Sequence, residues 1–294
     1  VRLDSQWCLI GPVLRTPEVD ELTAAVQALR EWQHDDAPMQ LHPGDIGWAW
    51  RLGAEATAAT VRTWSRDGRI LAVGFLDQPD LLRFTIAPDA HHDEELAQRL
   101  AADVSDPARG VLPAGKVYIE SPKHTRFQEL MFQNGWQSDV PWTPLRRDLS
   151  SPVEDPGVEI EVIGPDRAHV HADVIRASFE RSTFTADRWH NMANGPYEDA
   201  RSLVAHAGNQ PVAAVTVWSA GPGKPGLLEP MGVHRDHRGQ GFGKAITIAA
   251  AKTLQELGSS IALVCTPSSN VGAVATYRAA GFQPMPEVFD QRRD

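Results

Sequence analysis

The chain has 294 residues, of which 42% are apolar, enough for two domains of ordinary size that each bury a core. Its net charge of −10 argues against nucleic acid, whose phosphates need a basic face, and either suits a cationic amine as partner or only keeps the protein soluble. No apolar run approaches the roughly 18 residues of a membrane span, no signal peptide opens the chain, and Cys8 and Cys265 imply no disulfide framework, so a cytoplasmic protein without a membrane partner is expected.

In chain order, Trp7 to Leu14 predicts a first strand, broken by Gly11-Pro12, and Glu18 to Trp32 a helix with Val19, Leu22, Val26 and Leu29 at helical spacing. A second helix is predicted over Pro43 to Gly53. Strands are predicted at Ala59 to Ser65 and Arg69 to Leu76, joined by the hairpin signal Asp67-Gly68. Leu82 to Ile86, Lys116 to Glu120 and Trp142 to Leu149 read as strands, Asp93 to Val104 and Thr125 to Gln133 as helices. Trp48 and Trp50 are the tryptophans of this half that can line a ligand surface.

Residues 150–157, SSPVEDPG, have linker composition and divide the chain into domains 1–150 and 151–294. Beyond them, Val158 to Ile163 reads as a strand, Asp166 to Phe179 and Thr185 to Asn191 as helices, and Ser202 to His206 with Pro211 to Trp218 as a hairpin around Gly208-Asn209. Leu227 to Val233 follows as a strand with Leu227, Glu229, Met231 and Val233 on one face, Glu229 being its polar exception. A helix from Lys244 to Gly258, a strand from Ile261 to Thr266 and a helix from Asn270 complete the order.

Between that strand and helix lies Arg238-Gly239-Gln240-Gly241-Phe242-Gly243. A glycine-rich turn before a helix start is an anion site, because first-turn N–H groups lack intrahelical partners and the helix dipole favours negative charge there. The P-loop fails on spacing: three residues separate Gly239 and Gly243, and Ala245 follows Lys244. The dinucleotide fingerprint fails because Lys244 stands where its third small residue belongs. What fits is Arg-x-x-Gly-x-Gly, followed in residues 270–282 by Asn270, Ala273, Tyr277, Gly281 and Phe282 in the pattern Asn-x-x-Ala-x-x-x-Tyr-x-x-x-Gly-Phe. Together these resemble the two signatures of the GCN5-related N-acetyltransferases, the GNAT superfamily.

The resemblance implies an α/β (α+β) fold, a mixed and mostly antiparallel sheet flanked by helices, with acetyl-CoA as cofactor and an amine as acceptor. It implies that Arg238, Gly239, Gln240, Gly241, Phe242, Gly243 and Lys244 hold the pyrophosphate, and that Met231, Gly232 and Val233 lie beside the pantetheine, with the Val233 N–H nearest the thioester carbonyl. Asn270 and Ala273 would flank the cofactor arm, and Tyr277 would be the general acid. Glu229 is the expected base, its bland alternative being an ion pair with Arg235; His234 is the alternate base, turned to the other face by strand alternation. Phe179, Trp189 and Tyr197 lie in the segment that covers the acceptor in this family and are expected to bind substrate. No metal is expected, since the histidine pairs lack a third ligand at a recognisable spacing.

The halves also read as repeats. Ile86 matches Val233 at an offset of 147, and Gly135-Trp136 matches Gly281-Phe282 at 146. The same offsets place Glu94 and Leu96 over Gly241 and Gly243, and Met131 over Tyr277, so the first half is expected to be a degenerate GNAT-like domain without the cofactor loop. Two tandem domains of which one is active resemble the arrangement in mycothiol synthases. The function expected is acetyl-CoA-dependent N-acetyl transfer to a small-molecule amine, with a non-catalytic acyl-CoA-binding regulator and a protein or peptide N-acetyltransferase as alternatives.

Overall fold

The computed structural model describes residues 11–294; the expected strand residues Trp7 to Ile10, and Cys8, lie outside the described residues. The first half forms β1 (Val13–Arg15), α1 (Leu22–Trp32), α2 (Pro43–Ala49), α3 (Ala54–Thr60), β2 (Val61–Arg66), β3 (Arg69–Gln78), β4 (Leu81–Ile86), α4 (Glu94–Ser105), β5 (Val117–Glu120), α5 (Arg126–Gln133) and β6 (Gln137–Asp148). The second forms β7 (Glu159–Val162), α6 (Ala168–Ser178), α7 (Ala186–Ala193), β8 (Ala200–Ala207), β9 (Gln210–Ser219), β10 (Gly226–Val233), α8 (Phe242–Glu256), β11 (Ile261–Pro267), α9 (Val271–Ala279), β12 (Gln283–Pro284) and β13 (Val288–Arg293).

The local signals act where they stand. Leu22, Ala25, Val26 and Leu29 form the buried stripe of α1. Asp67 and Gly68, with φ of 52° and 79°, turn β2 into β3. Helix α3 replaces the start of the strand expected from Ala59: its run AEATAAT is rich in alanine, the best helix former, and β2 begins only at Val61.

The chain folds as two compact units, and they do not divide at residue 150. The first comprises residues 11–28, 58–138 and 290–294 of the described chain. Its strands run β1-β2-β3-β4-β5-β13, antiparallel except for the parallel pair β4 and β5. The second comprises residues 29–57 and 139–289, with the order β6-β11-β10-β9-β8-β7, again with one parallel pair, β10 and β11.

Residues 29–57 belong to the second unit for identifiable reasons. Lys224 Nζ donates to the carbonyls of Glu31 and Gln33 at the end of α1, His42 Nε2 meets the Pro225 carbonyl at 3.1 Å, and Arg30 pairs with Asp199. The glycine face of α2 lies on Trp218 of β9. In this unit α8 covers one face of the sheet, packing Ile246, Ala250 and Leu254 with Leu203, Val215, Val217 and Leu228, while α6 and α2 lie against β9 and β10.

Candidate active site

The site is built on an irregularity in β10. Its ladder with β9 runs from Gly226↔Ser219 to Leu228↔Val217, then resumes at Met231↔Val215, so Glu229 and Pro230 form a bulge. One extra residue flips parity: Leu228, Met231 and Val233 share a face, whereas Leu227 stands with Gly232 on the other. This corrects the expected alternation of Leu227, Glu229, Met231 and Val233 on one face, since alternation cannot register an inserted residue.

Parallel pairing of β10 with β11 covers only Gly226↔Ala262 and Leu227↔Leu263, and beyond these the strands part. The His234 N–H donates to the Val212 carbonyl at 2.8 Å. In an antiparallel ladder alternate residues bond across, so the Val233 N–H is turned to the edge that faces the parting. Gly232 is required by packing: an added Cβ would lie 2.5 Å from Ser178 Cβ and 3.0 Å from Phe179 Cε2.

After His234, whose Nδ1 accepts the Asp236 N–H at 3.3 Å, the exposed loop Arg238 to Gly241 leads into α8. Gly239 and Gly241 have φ of 74° and 89°, a left-handed backbone natural only to glycine. Gly241 is the N-cap and supplies no side-chain acceptor. The first intrahelical bond across this cap runs from the Ala245 N–H to the Gly241 carbonyl at 3.1 Å, so the N–H groups of Phe242, Gly243 and Lys244 precede it and have no intrahelical acceptor. Gly243 allows α8 to meet α9, where a Cβ would stand 2.9 Å from Thr276 Cγ2. Arg238 Nη2 donates to Ser178 O at 2.7 Å and Arg235 Nε to Ala177 O at 3.0 Å. Both guanidiniums thus neutralise the carbonyl end of α6. Gln240 Nε2 reaches Asp236 O at 3.4 Å. Arg238 and Gln240 are thus engaged with protein carbonyls, while the N–H groups that open α8 have no intrahelical acceptor.

Asn270 caps α9, its Oδ1 accepting the Ala273 N–H at 3.2 Å. Tyr277, on the next turns, is 6% exposed. Burial pushes its phenol above the ordinary value, and the negative charge of the Glu229 carboxylate pushes it further. Tyr277 on α9 therefore lies within electrostatic reach of Glu229 on β10 and Cys265 on β11. Glu229 is half-buried, and Arg235, its bland alternative partner, is bonded to the end of α6 instead.

Of the three expected acceptor residues only Phe179 offers an exposed ring, at 44%. Trp189 is buried with its Nε1 donating to Ser202 Oγ at 3.0 Å, and Tyr197 is buried with its hydroxyl donating to Ser219 O at 2.6 Å. Both are interior residues, a correction whose cause is that each aromatic finds a polar partner inside the unit. Sequence reasoning missed Trp218, which is fully buried and donates its Nε1–H to the Glu229 carbonyl in the bulge at 2.6 Å. Its signal was the spacing of Gly44 and Gly47 on one face of α2.

The first unit contains the corresponding pieces without the corresponding openings. Gly135 and Gly281 have φ of 86° and 85°, and the Trp136 N–H bonds Met131 O just as the Phe282 N–H bonds Tyr277 O, each at 3.1 Å. Yet α4 is capped by Asp93, whose Oδ1 accepts the Leu96 N–H at 2.9 Å and whose other oxygen pairs with Arg66. Glu94 in its first turn pairs with Arg126 at 2.6 Å. Carboxylates fill the place where α8 is bare.

Residues 170–282 match the Acetyltransferase (GNAT) family. A mycothiol acetyltransferase from Pseudarthrobacter chlorophenolicus is 42% identical over 57 residues, which is 19% of this chain and 18% of that protein. An acetyltransferase of the GNAT family from Colwellia psychrerythraea superposes with a TM-score of 0.61 at 15% identity, over 95% of this chain and 98% of that one. A tandem GNAT protein from the clavulanic acid biosynthesis pathway does so at 0.59 and 16%, over 96% and 97%. These two likenesses are of fold, and they extend through both halves of the chain.

Proposed function

We propose, from the premise that residues 170–282 form a domain of the Acetyltransferase (GNAT) family, that the protein transfers acetyl from acetyl-CoA to the nitrogen of a small amine. The observation that carries this reading is a bare helix start beside a strand parting edged by Glu229, Tyr277 and the Val233 N–H. The chain's residues fit such a donor: a pyrophosphate needs backbone donors without competing side chains, and the left-handed glycines before Phe242, Gly243 and Lys244 provide them. Acetyl-CoA when bound supplies an activated thioester carbonyl.

Glu229 takes a proton from the acceptor ammonium, directly or through water, leaving a nitrogen lone pair for attack. The Val233 N–H points to the edge where the carbonyl oxygen gathers negative charge, and a fixed donor stabilises that charge without reorganising. Attack on a bound thioester would form the C–N bond and break the C–S bond, with Tyr277 giving its proton to the departing sulfur. The second proton lost by the nitrogen would return through water to the Tyr277 phenolate, and Glu229 would release its proton to solvent. The raised affinity of Tyr277 for its proton keeps it protonated through neutral pH, so the donor is always loaded. Burial disfavours a thiolate in the same place as it disfavours a phenolate, which sustains the transfer. Phe179, exposed beside Gly232, offers the acceptor an apolar contact. A net charge of −10 favours approach of a cationic amine.

Tyr277→Phe tests the reading. It keeps the packing of the ring and removes the proton, so turnover with an accepted amine should fall about a hundredfold while acetyl-CoA affinity stays as in the wild type. A binding regulator has no turnover to lose, and an unchanged rate would remove Tyr277 from the mechanism.

A further inference from the structure

The bulge that carries Glu229 is held from beneath by a residue the reaction scheme leaves unused. Trp218 lies one strand away on β9, opposite Leu227, fully buried. Its Nε1–H donates to the Glu229 carbonyl at 2.6 Å, so the ladder's missing bonds at the bulge are replaced by one from a side chain. The indole has no freedom to leave. On one side the Tyr197 ring meets it edge-on at 5.1 Å. On another, α2 presses two glycines onto it: a Cβ at Gly44 would lie 2.5 Å from Trp218 Cβ, and one at Gly47 only 2.4 Å from Cζ3. Three residues apart, these glycines share one face of the helix, and any side chain there would displace the ring.

His42 fixes α2 in turn. Its Nδ1 accepts the Gly44 N–H at 2.9 Å, and its Nε2 meets the Pro225 carbonyl just ahead of β10. A continuous set of contacts therefore runs from residues 42–47, through Trp218, to the backbone of Glu229.

We propose that Trp218 is a positioning residue for the Glu229 carboxylate, and that α2 sets it. On this account a segment from the first half of the sequence completes the reaction centre of the second. The proposal rests on the reading of Glu229 as the base, and it assigns the glycine face of α2 a catalytic consequence rather than a purely structural one. A carbonyl released from the indole lets the bulge, and with it the carboxylate, shift by a fraction of an ångström to an ångström. Misplacement on that scale costs on the order of tenfold to a hundredfold in rate.

The test compares Trp218→Phe, Glu229→Gln and the double variant. The rate is read as CoA thiol released from acetyl-CoA with the best acceptor from a panel of primary amines, and as acetyl-CoA hydrolysis, in which water is the acceptor. Acetyl-CoA affinity is measured by calorimetry on each. Trp218→Phe keeps an aromatic ring under α2 and removes the N–H, so kcat should fall at least tenfold with acetyl-CoA affinity within twofold of wild type. In the Glu229→Gln background the same change should have no further effect on kcat. Equal fold losses in both backgrounds, or no loss in either, would overturn the positioning role while leaving Glu229 as base. A full wild-type rate for Glu229→Gln alone would instead remove the base and the proposal with it. If Trp218→Phe does not fold, Gly47→Ala, which moves the ring but keeps its N–H, takes its place with the same outcomes.

Discussion

At the scale of single residues, the clearest test concerns the Glu229 carboxylate. If it accepts the ammonium proton, Glu229→Gln should lower kcat by roughly a hundredfold to ten-thousandfold and leave acetyl-CoA affinity intact, because the bulge backbone remains. Rate–pH profiles of both proteins check this, and an unaltered kcat would exclude the carboxylate. A second residue bears on stability. His171 is fully buried within a polar chain: its Nε2 lies 3.3 Å from Thr216 Oγ1, which lies 3.1 Å from Ser202 Oγ. Burial holds its imidazole down at about 4, against an ordinary value of 6.5. Between those values the unfolded chain takes up a proton that the folded chain refuses, so stability is fully present above about pH 6.5 and falls as pH drops toward 4. The contribution at stake is about 3 kcal/mol. Urea unfolding at pH 7 and pH 5 should show a loss of stability that His171→Asn reduces; identical slopes in the two proteins would refute it. Glu229 was legible as a polar residue in an apolar strand, but its geometry was not. The inserted bulge residue resets which side chains share a face; Pro230, which cannot donate to a ladder, marks the place, whereas Gly232 was the residue expected to mark a bulge. Trp189 and Tyr197 are buried with interior hydrogen-bond partners, which their place in the segment that covers the acceptor in the resembled family could not reveal.

Among elements, the two signatures were legible because each is local. A left-handed glycine cap, an Asn cap and a left-handed glycine after a helix are fixed by residues a few positions apart, and α8 and α9 start and stop where those residues stand. Capping gives a prediction here: Asn270→Ala removes the acceptor for the Ala273 N–H and should cost about 1 kcal/mol in chemical denaturation, with a loss under 0.3 kcal/mol counting against the cap. What was not legible is the allegiance of α2. Its sequence predicts a helix, but only the fit of Gly44 and Gly47 onto Trp218 assigns it to the second unit, and that fit joins residues more than 170 positions apart. Helix α3 was hidden for a simpler reason, being a short alanine-rich run that abuts a strand directly.

For the whole molecule, the repeat in the sequence corresponds to two units with the same order of elements around one parallel strand pair each. We infer that only one of them keeps the donor site, because the first closes its helix start with Asp93 and pairs Glu94 with Arg126 where the second leaves Gly241 and the N–H groups after it bare. A repeated fold can thus survive while the chemistry is retained once, since the core needs only shape and apolar area whereas the anion site needs bare backbone. Calorimetric titration of the full chain with acetyl-CoA tests this most directly. The account predicts one site per chain, abolished by Gly241→Glu, which forces a side chain and a negative charge onto a left-handed position. Two sites, or one site that survives Gly241→Glu, would contradict it.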